Sequence, residues 1–244
     1  MFPSSPLDRR ALLRGGGLLG AGALLAPASL LGARQLVQGI VRPHVDSRVL
    51  GPVPGMPVPS CALAPSLTEG PFHFDSVLFR RDMTEGRAGL PLFVKLQVVR
   101  VSGCTPVTGA VVELWHCDAN GLYSGYAGQL NNTNTEGDNF LRGMQTTDGN
   151  GDVTFQTVYP GWYPGRTVHI HVKVYVGGRE VVTSQLYFPD DVSDIVLNAA
   201  EAYSTRGSSG RTTNSRDGLY RSETLMGMSQ QGAAYVSSLV LGIA

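Results

Sequence analysis

The sequence predicts an all-β chain, a β-sandwich of about seven or eight short strands joined by long loops. Three observations carry this reading. Short runs rich in Val, Thr, Leu and Tyr are punctuated by 31 Gly and 15 Pro, the pattern of strands separated by turns. No long stretch shows helical periodicity. Residues 167–176 alternate strictly, with Val168, Ile170, Val172, Val174 and Val176 on one face and His169, His171, Lys173 and Tyr175 on the other.

Composition narrows the function classes. The chain has 244 residues, 42% hydrophobic, enough for one all-β domain with extensions. Lys plus Arg and Asp plus Glu number 19 each, so no basic field exists to recruit nucleic acid. Three cysteines leave one unpaired if the other two bond.

Residues 1–33 read as an export signal. Arg9 and Arg10 are adjacent, Arg14 follows, and residues 15–33 carry no charge. A basic start, an apolar stretch and small residues at Ala26-Pro27-Ala28 or Gly32-Ala33 describe a secretory signal with its cleavage site. The paired arginines resemble a bacterial twin-arginine signal. An uncleaved membrane anchor is the alternative; after cleavage no stable membrane insertion is expected, and the protein is expected outside the cell or in the periplasm. Residues 34–60 hold Pro43, Pro52, Pro54, Pro57 and Pro59 without periodicity, a linker or loose arm.

The domain spans 61–244. Residues 65–72 are a Pro/Gly loop, and 75–89 are charged and turn-rich. A strand is predicted over 92–101, a turn over 104–109 and a strand over 110–117. Asp118-Ala119-Asn120-Gly121 is a strong turn that delivers Tyr123. Residues 124–140 form a long loop and 143–147 extended chain. Asp148-Gly149-Asn150-Gly151 turns into a strand over 153–158. Pro160-Gly161 and Pro164-Gly165 then bracket Trp162 and Tyr163 in a tight loop ahead of the histidine strand. Gly177-Gly178 makes a hairpin into a strand over 180–188. Residues 190–231 read as polar, with one or two helical turns at 198–203. A strand over 233–241 closes the domain. Cys61 opens the domain and Cys104 lies in a turn, whereas Cys117 lies in a strand, so Cys61–Cys104 is the expected disulfide and Cys117 a buried thiol.

The strand period points His169 and His171 the same way, as two ligands to one metal would require. Imidazole suits iron, zinc, copper and nickel, so the pair alone names no metal, and an isolated His-x-His is most often a pair of surface residues. His116 reads as structural. His44 and His73 have no partner in sequence and read as surface residues.

WHCDANGLYS at 115–124 and YPGWYPGRTVHIH at 159–171, with Thr68-Glu69-Gly70-Pro71-Phe72, Thr147-Asp148 with Gly151, and Gln185-Leu186-Tyr187-Phe188, resemble the intradiol ring-cleavage dioxygenases, including their exported relatives. The resemblance covers roughly 61–190. It implies non-haem Fe(III) as cofactor, held by Tyr123, Tyr163, His169 and His171. It implies as substrates a small aromatic diol and O2, with a cis,cis-muconate-type product that receives both oxygen atoms. Phenolate is a hard anionic donor suited to a ferric ion, which holds it deprotonated far below its free pKa of about 10. The resemblance further implies that Tyr163 is the tyrosine displaced by substrate and accepts a proton from it. It places Arg166 as a fixed cation beside the bound ring, and Gln185 as the hydrogen-bond partner of Arg166.

The chain departs from the better-known catechol enzymes in two respects. No helical N-terminal dimerisation segment is recognisable, so a homodimer is left open. The loop from Tyr163 to His169 is shorter than in the cytoplasmic branches, so a more open substrate mouth is expected. Two other functions compete: a carbohydrate- or partner-binding β-sandwich without chemistry, which has no need of four retained ligands, and another His-based metalloenzyme such as a zinc hydrolase, for which no third ligand of the usual kind stands out.

Overall fold

The computed structural model describes residues 61–244, and the expected export signal and Pro-rich arm lie outside the described residues. Among the described residues nine strands form two sheets. They are β1 (Pro91–Arg100), β2 (Thr105–Pro106), β3 (Val111–Trp115), β4 (Arg142–Thr146), β5 (Asp152–Val158), β6 (His169–Val176), β7 (Arg179–Tyr187), β8 (Gly227–Gln231) and β9 (Ala234–Ile243), with one helix, α1 (Asp190–Ala199). β1 lies at the heart of the first sheet. It pairs in parallel with β9, which pairs with β8, and it pairs antiparallel with β5 and β2. The second sheet has the antiparallel order β4-β3-β6-β7.

Alternation explains the layering. Val94, Leu96 and Val98 of β1, Phe155 of β5, and Leu241 and Ile243 of β9 face Val112 and Leu114 of β3, Ile170, Val172 and Val174 of β6, and Leu186 of β7 in one buried core. Each aliphatic side chain buried there contributes roughly 1.5–3 kcal/mol. The β6 alternation is as the sequence predicts, but its polar face is buried too: His169, His171 and Lys173 are 2%, 1% and 6% exposed. Loops cover that face. The segment before β1 crosses it, and so do the long loops between β3 and β4 and between β5 and β6, and the chain after β7.

Two elements fall in the stretch read as polar. α1 begins at Asp190, with Asp190 and Asp191 in its first turn, where carboxylates favour the helix dipole. It ends where the helical turns at 198–203 were expected, and only a short 3-10 turn, Glu201–Tyr203, follows. β8 is an edge strand of largely polar, half-buried residues.

Cys61 and Cys104 form a disulfide with a Cα–Cα distance of 5.5 Å, and Cys117 is a buried free thiol. Burial, with Asp118 nearby, pushes that thiol far above its ordinary range. Among the described residues no helix is long and apolar enough to cross a membrane.

Candidate active site

Strand register assembles the floor of the site. Trp115 of β3 sits opposite His171 of β6, which sits opposite Gln185 of β7; His169 sits opposite Tyr187. The Trp115 and His171 rings stack at 4.8 Å, fixing the imidazole plane. Gly70 passes close to the same ring. A Cβ there would come within 3.3 Å of His171 Cε1, and its φ of +74° suits glycine.

The turn before Tyr123 is built by Asp118, whose Oδ1 accepts the N–H groups of Asn120 (2.9 Å) and Leu122 (3.0 Å). Gly121 adopts φ +83°, and a Cβ on it would lie 2.2 Å from the Trp162 carbonyl oxygen. Only glycine lets the two tyrosine-bearing loops approach this closely. Gln129 then holds Tyr123 as a neighbouring strand would: its Oε1 accepts the Tyr123 N–H and its Nε2 donates to the Tyr123 carbonyl, both at 2.7 Å. Phe72 stacks on the Tyr123 ring at 4.5 Å and meets Tyr163 edge-on at 6.2 Å. Tyr163 rides on a loop pinned by the Trp162 Nε1 bond to the Gly207 carbonyl (2.8 Å) and by Arg206 lying over the indole.

Four donor atoms converge. His169 Nε2 lies 3.1 Å from Tyr163 Oη, 3.5 Å from Tyr123 Oη and 3.2 Å from His171 Nε2. His171 Nε2 lies 3.1 Å from Tyr123 Oη. The His169 tautomer is settled by its other nitrogen: Nδ1 donates to the Thr167 carbonyl at 2.6 Å, so Nε2 presents a lone pair to its neighbours. His171 Nδ1 is buried with no hydrogen-bond partner among the described residues.

Burial sets the charge state of this group. It pushes the Tyr123 hydroxyl well above its ordinary range, helped by Tyr163, and raises Tyr163 to about 12 against the pull of Arg166. It lowers His169 to about 3, helped by the Arg166 charge, and takes His171 well below its ordinary value. Without a cation, all four groups are neutral at pH 7. A cation among them would reverse the tyrosine preference.

Arg166 and Gln185 meet beside this group. Arg166 Nη2 donates to Gln185 Oε1, and Gln185 Nε2 donates to the Thr68 carbonyl at 2.9 Å. All six residues singled out in the sequence are therefore brought together. His116 is structural as expected. It is buried, with Nδ1 donating to the Cys117 carbonyl (2.8 Å) and Nε2 accepting from Thr157 (2.7 Å). His73 corrects the sequence reading. It is not a surface residue: its side chain is 8% exposed, lies 3.3 Å from Glu113 and tilts against Trp115. Its other nitrogen lies 3.6 Å from Glu69, four residues earlier, but the Glu113 contact spans forty positions and no local pattern betrays it.

Several residues at the site escaped sequence reading. Gln129 lies in a Gly- and Asn-rich loop, and Asp217, which accepts from Arg166 Nε at 2.9 Å, lies in the polar stretch. Arg142 is buried and donates to the carbonyls of Phe72 and Ser124, both at 2.8 Å, tying the Phe72 loop to the Tyr123 loop. Among the described residues no group of three or more His, Cys, Asp or Glu could hold a metal ion; the two histidines stand with two tyrosines instead.

A family model described as a dioxygenase matches residues 64–219. The chain is 32% identical to an intradiol ring-cleavage dioxygenase from Tetranychus urticae, over 75% of this chain and 94% of that one, with a TM-score of 0.68. A chlorocatechol 1,2-dioxygenase of Rhodococcus opacus is 28% identical over 38% of this chain and 42% of its own length. A 6-chlorohydroxyquinol 1,2-dioxygenase of Cupriavidus pinatubonensis is 28% identical over 62% and 59%. The chain spans about half the length of the curated relatives it matches. Its motifs, its two-sheet fold and these likenesses agree that the chain belongs to the intradiol ring-cleavage dioxygenase family.

Proposed function

We propose that this chain cleaves the ring of a catechol between its two hydroxyl-bearing carbons, with O2 as co-substrate, at a ferric ion held by Tyr123, Tyr163, His169 and His171. The observation that carries this is the buried meeting of two phenol oxygens with two imidazole nitrogens, one of them with its lone pair fixed toward the tyrosines. The donor set fits the metal. Two hard anionic oxygens and two imidazoles match a ferric ion better than zinc, whose usual ligands are His, Cys, Asp or Glu. When bound, the ion would act as a Lewis acid toward both catechol oxygens and make the ring reactive toward O2.

The chain's own residues supply the rest. Tyr163 is the less buried tyrosine and borders a pocket of about 440 Å³ lined by Phe72, Gly121, Gly128, Leu130 and Pro164. It is therefore the one free to move aside as substrate enters. Its preference for the protonated state suits its Oη to accept a proton from a substrate hydroxyl. Tyr123 is fully buried, held through its backbone by Gln129, and stays in place. Arg166 supplies a fixed positive charge beside the ring, where negative charge develops as oxygen adds. The apolar faces of Phe72, Leu130 and Pro164 shape the pocket for an aromatic ring.

Export belongs to the same proposal. It is supported by the twin-arginine sequence and by the Cys61–Cys104 bond, since disulfides persist in oxidising compartments. The test of function is turnover of a catechol under 18O2 by the iron-loaded protein. A muconate-type product carrying two heavy oxygens is expected. Absence of oxygen uptake across a panel of substituted catechols would overturn the proposal.

A further inference from the structure

Arg166 is held from two sides. Gln185 takes its Nη2, and Asp217 Oδ2 accepts its Nε–H at 2.9 Å. The Tyr187 hydroxyl, which donates to Gln185 Oε1 at 3.0 Å, stands against the same guanidinium. The Asp217 side chain is only 2% exposed and every one of its contacts is directed. The same Oδ2 also accepts the backbone N–H of Thr167 at 2.9 Å, while Oδ1 accepts from Leu219 N at 2.9 Å. The Thr167 carbonyl in turn receives the Nδ1–H of His169. One carboxylate thus ties the guanidinium to the backbone that orients His169.

The segment carrying Asp217 is itself anchored. Asn214 Oδ1 accepts from Thr167 Oγ1, and its Nδ2 donates to the Phe188 carbonyl, both at 2.8 Å. Arg211 binds Asp194 and Asp190 of α1 at 2.8 and 2.7 Å. Fifty residues after Thr167, the chain therefore returns to present one acidic side chain to Arg166. A carboxylate this buried needs several donors to be tolerated, and here two come from Arg166 and Thr167, which lead into the histidine strand, and a third from the Leu219 N–H.

We propose that Asp217 is a positioning residue: it locks the Arg166 guanidinium by its Nε edge and so fixes how that charge faces the substrate ring. This rests on the proposed role of Arg166. A guanidinium freed at Nε would shift on its remaining contacts with Gln185 and Tyr187, and a misplacement of about 1 Å costs on the order of 10²-fold in rate.

The test is a double-mutant cycle on the iron-loaded protein with catechol, using Asp217→Ala, Arg166→Ala and the pair, with Asp217→Asn as the variant that keeps shape and loses charge. Asp217→Ala is expected to lower kcat about 10²-fold with KM within about threefold, at unchanged iron content and visible band. In the Arg166→Ala background the same change is expected to cost less than about twofold, because coupled residues are not additive. A readout apart from activity is phenylglyoxal labelling followed by peptide mapping. Arg166 labelling should rise severalfold in Asp217→Ala, while labelling of the buried Arg142 stays unchanged. Additive losses, wild-type kcat in both Asp217 variants beside a slow Arg166→Ala protein, or labelling that rises equally at Arg142 would overturn the positioning role alone. Wild-type turnover in Arg166→Ala with full iron would overturn the reading of Arg166, and this proposal with it.

Discussion

Removing the Cys61–Cys104 bond should cost about 4 kcal/mol. The two cysteines are 43 residues apart, and closing a loop of that length removes about 13 cal/mol/K from the unfolded chain on the loop-closure estimate, or about 4 kcal/mol at 25 °C. For a domain of this size that corresponds to a fall in Tm of about 10 °C. The bond also has a local consequence. Residues just after Cys61 run between the sheets: Ala64 N–H donates to the Gly242 carbonyl at 2.9 Å and Leu67 N–H to the Thr183 carbonyl at 2.8 Å. That path leads to Thr68, which holds Gln185, and to Gly70, which packs close to His171. The crosslink therefore anchors the start of the loop that covers the site. The assay is guanidinium unfolding of oxidised wild type against Cys61→Ser/Cys104→Ser. Cys104 sits at φ +53°, and serine there keeps the same backbone strain, so the difference reads the crosslink. Thiol titration of the denatured, unreduced protein should find one thiol per chain, Cys117. Equal unfolding midpoints, or three thiols, would refute the reasoning.

Four further outcomes are expected. Arg166→Ala should lower kcat about 10²–10³-fold through loss of a charge-stabilising donor while iron content stays near wild type, as metal analysis beside steady-state kinetics will show. Gly121→Ala should destabilise by roughly 3 kcal/mol or more, since a Cβ meets the Trp162 carbonyl at a positive φ; a midpoint within about 1 kcal/mol of wild type would contradict the close approach. His116 is depressed by burial to about 4. Its contribution is therefore fully present above the unfolded value of about 6.5 and is lost as pH falls towards 4, by about 3 kcal/mol; His116→Gln should reduce the fall in stability over that window by about that amount, leaving the share of His169 and His171. Arg9→Lys with Arg10→Lys should leave the protein inside the cell, which fractionation and immunoblotting will detect.

The central strands were legible because alternation reports burial directly: β1, β3, β5, β6 and β7 each carry apolar residues on the face that enters the core. The same logic hid β8. Its sequence Gly-Met-Ser-Gln-Gln is half-buried at a sheet edge, so no burial pattern is written into it. α1 was missed for a related reason. Ser193, Val196 and Leu197 are its buried residues while Ile195 stays exposed, a stripe too short for helical periodicity to stand out from polar chain. At the site, period two was enough to place His169 and His171 side by side, but the tyrosines were found through motif resemblance, because loops bring them in. Asp217 and the Glu113 partner of His73 act across 51 and 40 residues. Contacts of that range arise only when strands pair and the chain returns over them, and no local spacing encodes them.

The most direct test of the central claim is the visible spectrum of the purified protein, taken with metal analysis, before and after adding catechol. The proposed ferric ion held by Tyr123 and Tyr163 would give a reddish tyrosinate charge-transfer band at one iron per chain. That band should shift when catechol binds and weaken in Tyr163→Phe. A colourless protein without iron, purified from cells supplied with iron, or one carrying stoichiometric zinc, would contradict the account.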